Sequence, residues 1–99
     1  MTVELADLGD WGTATLVAEY DPAADVIRVD ARAVNVVRRE LGEAEARRFV
    51  RVAVAHEAYH RADPHATEAQ AHAAAQAAGG GDPRAYEAVL RAARHAERA

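Results

Sequence analysis

Cysteine is absent from the 99 residues. Its absence excludes a disulfide framework and any zinc site built on thiolates, and it fits a reducing compartment. Lysine is absent as well, so all 12 basic residues are arginine. The arginines are scattered, and no basic stripe with interleaved aromatics occurs, so the electrostatic footprint of a nucleic-acid binder is missing. No apolar run approaches the length of a membrane span. The opening Met1-Thr2-Val3-Glu4 has neither a basic n-region nor an apolar h-region. The expectation is a cytoplasmic protein with neither membrane nor nucleic acid as a partner. The net charge, 12 − 16 = −4, is mildly acidic. A chain of this length allows a single domain, 1–99, with a small core. With no disulfide to help, a metal bound by His and carboxylates is one way to stabilise it.

What is present reads as α+β. Thr13 to Tyr20 alternates and is rich in Thr and Val, as a half-buried strand is. Asp21-Pro22-Ala23-Ala24-Asp25 is turn chemistry, and Val26 to Val29 is a second strand, giving an antiparallel hairpin. Asp30 can N-cap a helix over Ala31 to Leu41, with Gly42 at its end. Glu43 to Arg61 reads as a helix with acidic residues in its first turn and Arg61 in its last. Asp63-Pro64 predicts an N-cap and N1 start for a third helix running to Ala78. Gly79-Gly80-Gly81 breaks that helix, and Asp82-Pro83 starts a terminal one to Arg98. Met1 to Gly12 fits either a strand or a covering segment.

The chemistry concentrates in His56-Glu57-Ala58-Tyr59-His60. On a helix, His56 and His60 lie on one face a turn apart, where two imidazole nitrogens can share one tetrahedral metal. Glu57 is rotated about 100° around the axis, beside a metal-activated water rather than on the metal, as a general base. The bound ion would be Zn2+, which lowers the pKa of such a water to about 7. A shuffled chain of this composition shows the pattern about two times in a hundred, so its surroundings matter. Phe49, Val50, Val52 and Val54 make the helix largely apolar, and two histidines with a glutamate at the end of a buried helix are costly unless something satisfies them.

A catalytic zinc site needs a third protein ligand. Asp63, His65, Glu68 and His72 are the candidates. The metzincin pattern H-E-x-x-H-x-x-G-x-x-H would need glycine at Asp63 and histidine at Ala66, so that class is set aside. Glu68, placed in the second turn of the third helix, is the favoured ligand, because an antiparallel return of that helix brings it level with the histidines. His65 is the main alternative. His72, at i+4 from Glu68, could hydrogen-bond a ligand or simply be an exposed helical histidine. Tyr59 is assigned to packing. Tyr86 and His95 are candidates for stabilising an oxyanion, with core packing the favoured role for Tyr86.

The motif followed by Glu68-Ala69-Gln70-Ala71-His72 resembles the gluzincin arrangement, in which the third ligand is a glutamate on the next helix. The order hairpin, helix, motif helix over Thr13 to Ala78 is similar to that of ImmA/IrrE-type peptidases and the minimal gluzincins. The resemblance implies a zincin-like domain with His56, His60 and Glu68 on zinc, Glu57 as catalytic base, and a peptide or protein substrate. It also implies a small sheet whose edge strand holds an extended peptide above the motif helix. Three functions compete: a zinc metallopeptidase, a zincin-fold metal-binding or regulatory domain with little or no turnover, and a helical interaction module in which the motif is accidental.

Overall fold

Ile27 and Val29 are completely buried, while Arg28 between them faces out. That period of two marks Val26–Asp30 as a strand with one face in the core, and pairing on both sides makes it the central one. The computed structural model describes residues 1–8 and 17–98. Among these the chain runs β1 (Thr2–Ala6), β2 (Ala18–Asp21), β3 (Val26–Asp30), α1 (Ala31–Leu41), α2 (Glu43–Ala62), α3 (Glu68–Gly79) and α4 (Pro83–Arg98). Among the described residues the fold is α+β, one three-stranded sheet and four helices.

The hairpin is present: β2 pairs antiparallel with β3, Tyr20 opposite Ile27. The sheet as a whole is not antiparallel, as the sequence suggested, but mixed. β1 lies parallel to β3 on its other side, in the order β1-β3-β2. Hairpin signals report only pairing between adjacent segments, whereas a parallel neighbour is reached by a long connection and carries no local mark. Of the strand expected over Thr13 to Tyr20, residues 13–16 lie outside the described residues. On the outer face Arg28 is opposite both Glu4 and Glu19. Its guanidinium donates to Glu4 at 2.9 Å, to Glu19 at 3.4 Å and to Asp21 at 3.3 Å, so one cation ties three strands together.

The inner face of the sheet packs on α1 and α2. Asp30, fully buried, caps α1 by accepting from the Arg32 amide at 3.1 Å. Ala33, Val34, Val36 and Val37 turn inward at helical spacing. Gly42 adopts φ 94°, where a side chain is disfavoured. There its N–H closes α1 on Arg38 O and its carbonyl accepts from Ala46 to open α2. α2 is central and touches the sheet and the other three helices. Ala46, Phe49 and Ala53 point into the main core, and α4 adds Ala85, Ala88, Val89 and Ala93 to it.

α3 begins later than the sequence suggested. Asp63 does not start it; its amide bonds to Tyr59 O to close α2, and its carboxylate accepts from His65 N in a turn. The true N-cap is Thr67, in a reciprocal box with Gln70. Glu68 is therefore the first residue of α3 rather than a second-turn residue.

The alanine content of α3 has a packing purpose. Ala71 and Ala75 are fully buried, and with Gly79 they form a seam of period four. A Cβ at Gly79 would come within 2.4 Å of Val52 Cγ2. Small residues let α3 lie close against α2. Gly79→Ala should therefore destabilise the fold. Overpacking costs about 1–3 kcal/mol, β-branched Val52 is stiff in a helix, and the roughly 1 kcal/mol that Ala gains over Gly in mid-helix is smaller at the last residue. Urea denaturation checks this; an unchanged or raised midpoint would mean that Val52 yields freely.

Candidate metal centre

The last two turns of α2 put His56 and His60 side by side, ring centroids 5.1 Å apart and planes inclined at 60°. Each side chain retains 22% exposure. Residues 63–67 reverse the chain within one tight turn, so Glu68 arrives opposite them despite the short separation in sequence. Its carboxylate straddles the pair, with Oε2 3.0 Å from His56 Nε2 and Oε1 2.8 Å from His60 Nε2. Helix ends favour this placement: Glu68 is in the first turn of α3, and His60 and Arg61 are in the last turn of α2.

The two contacts differ in kind. His56 Nε2 is aligned for a hydrogen bond to Glu68. His60 Nε2 is buried and has no hydrogen bond, although an oxygen lies close by. His60 thus meets Glu68 at ion-pair distance without hydrogen-bond alignment, and a metal ion taking both nitrogens and a carboxylate oxygen would satisfy all three ligand atoms. The ligand atoms of His56, His60 and Glu68 all lie within 4.8 Å of one another. Ligands around tetrahedral zinc stand about 3.3 Å apart, so a small closure would seat an ion. Two nitrogens and one oxygen are a donor set suited to zinc with an open position. The residues present fit the ion.

Glu57 stands beside this triad, partly buried, its side chain making no hydrogen bond to another described residue. Burial pushes its carboxyl above the ordinary glutamate value, and the nearby His56 and His60 oppose that shift. The other candidates are placed elsewhere. His65 is exposed in the interhelical turn, and His72 is exposed on α3 with no bond to the triad. Tyr59 is partly buried, as a packing residue would be. Tyr86 is not a core residue: it is 51% exposed on α4, a helix that packs chiefly on α1. Neither Tyr86 nor the exposed His95 bonds to the triad.

Sequence reasoning overlooked one group next to the centre. Arg61 donates to Asp25, at the end of the β2–β3 turn, through Nε at 2.7 Å and Nη2 at 3.2 Å. Tyr20 donates its hydroxyl to the same carboxylate at 2.7 Å. Arg61 first, and then the Tyr20 hydroxyl, hold Asp25 well below the usual carboxylate range. Residues so far apart in sequence leave no motif. The capping box at Thr67-x-x-Gln70, in contrast, was legible and was masked by the stronger appearance of Asp63-Pro64. No helix among the described residues is long and apolar enough to cross a membrane. In comparisons with known proteins the chain matches no protein-family model, no curated protein and no solved structure.

Proposed function

We propose that the chain is a zinc-dependent metallopeptidase of the zincin type, with His56, His60 and Glu68 as metal ligands and Glu57 as general base. The observation that carries this reading is the convergence of two imidazole Nε2 atoms on one carboxylate, one of them buried without a hydrogen bond. Zinc held there supplies a Lewis acid and makes water ionisable near neutral pH. Glu57 takes the proton from the attacking water and delivers it to the leaving amine nitrogen. Among the described residues β2 is an edge strand that packs on α2, and an extended peptide can add to such an edge by main-chain hydrogen bonds.

A second reading, a metal-binding or regulatory domain with little turnover, is favoured by the exposure of Glu68, whose side chain is 80% accessible. An open centre excludes water poorly. Elemental analysis of protein purified without chelator tests the reading common to both. About one zinc per chain is expected in the wild type, with most of it lost in His56→Ala and His60→Ala. Equal metal in wild type and variants, or none in any, sinks the assignment.

A further inference from the structure

Asp25 is the one non-glycine residue with positive φ among those described, at 54°. Side chains are disfavoured there, Asp less than most. Here the surroundings are specific. The Thr2 amide donates to the Asp25 carbonyl at 3.1 Å. The carboxylate takes the Tyr20 hydroxyl and the forked guanidinium of Arg61 together, the geometry of a strong charge-assisted pair. Arg61 directly follows His60, and α2 ends one residue later, at Ala62. Last turns of helices carry unpartnered carbonyls and fray. Fraying here would displace His60 while leaving His56, a full turn further in, nearly still.

We propose that Asp25 is a positioning residue for the metal centre. Through Arg61 it pins the last turn of α2 to the β2–β3 turn and thereby holds His60 Nε2 in line with His56 and Glu68. This rests on the reading of the triad as a zinc site. Metal-free stability and metal affinity separate a positioning role from a purely structural one, since the Asp25 carboxylate also meets the Tyr20 hydroxyl and, at 3.3 Å, the terminal ammonium of Met1. The Arg61–Asp25 pair is partly exposed, with side-chain accessibilities of 44% and 42%, so solvent screens part of what it contributes to folding. A glycine would also relieve the backbone at position 25.

Asp25→Gly provides the test, because it removes the carboxylate and relaxes the backbone at once. Zinc affinity is measured by competition with a chromophoric chelator, cobalt(II) absorption reports the ligand geometry, and melts of the metal-free proteins report the fold. Groups that orient metal ligands typically matter 10–100-fold. We expect zinc affinity about 10-fold weaker, an altered cobalt spectrum and a metal-free melting temperature equal to wild type or higher. Arg61→Gln should do the same to the metal, and the double variant should bind zinc no more weakly than Asp25→Gly alone, since that variant already lacks the Arg61–Asp25 contact. Unchanged affinity and cobalt spectrum in Asp25→Gly, with zinc still bound by the wild type, overturns the positioning role and leaves the zinc site standing. A lowered metal-free melting temperature with unchanged affinity overturns it equally. A wild type that binds neither zinc nor cobalt removes the metal site itself, and the positioning role with it.

Discussion

Glu57→Gln is expected to lower peptide hydrolysis by about 10²–10⁴-fold, the usual range for loss of a general base, with zinc content and folding unchanged. The side chain keeps its size, so packing around α2 is preserved. It loses the basic carboxylate that would accept a proton from water. Glu57 is partly buried and its side chain has no hydrogen bond to another described residue, so its removal frees no partner to stand unsatisfied. Its burial already disfavours the charged form, so a neutral amide is not an added desolvation cost. The measurement is cleavage of an unstructured protein or a peptide library by zinc-loaded wild type and variant, with metal content determined on the same samples. Comparable cleavage by the two would remove Glu57 from the mechanism. Zinc bound at one per chain with no cleavage by the wild type would favour the metal-binding domain over the peptidase.

Loss of Glu68 should act on the metal rather than on the proton. Glu68→Ala is expected to weaken zinc binding by more than about 100-fold, since even groups that merely orient a ligand contribute 10–100-fold. His65→Ala, in the exposed turn, should have little effect. The same bond links binding to folding. The carboxylate is on the first residue of α3 and the histidines are at the end of α2, so zinc joins the two helices across their turn. Metal at a hundredfold excess over its dissociation constant stabilises the folded state by about 2.7 kcal/mol. In a domain of this size that is a melting temperature higher by about 10–20 °C. Chelation should remove that increment and raise amide exchange first in Glu68–Gly79, less in the β2–β3 hairpin. The seam of Ala71, Ala75 and Gly79 against α2 keeps α3 partly docked, so it should loosen rather than melt away. Metal-free and zinc-loaded melts, with exchange mass spectrometry, check this. An unchanged melt in protein proven free of zinc would show that α3 docks without the ion.

Local chemistry carried much of the fold. α1 runs from Ala31 to Leu41 as expected, because both of its boundary signals, the Asp30 side chain and the backbone freedom of Gly42, act on amides and carbonyls within a turn of themselves. α4 starts at Pro83 for the same kind of reason. At the start of α3 two local signals competed. Asp63-Pro64 made a turn, and Thr67 with Gln70 made the cap. A single dipeptide cannot say which, since Asp accepts equally well from a turn amide and a helix amide.

The amino-acid sequence by itself determined that His56 and His60 share one helical face, because the pitch of the α-helix aligns residues four apart whatever else the chain does. It also determined that the β2–β3 pair is a hairpin and that Glu68 follows the motif closely enough to be reached. Only the tertiary structure decided that β1 is parallel to β3, that Glu68 points at both imidazoles, and that Asp25 holds Arg61. Each of those relations depends on the distance between elements rather than on spacing along one. For Glu68 that distance is set by how closely α3 approaches α2, which the lack of side-chain bulk at Ala71, Ala75 and Gly79 permits. An alanine run is the same in composition whether it is solvated or wedged against a valine, and only packing distinguishes the two.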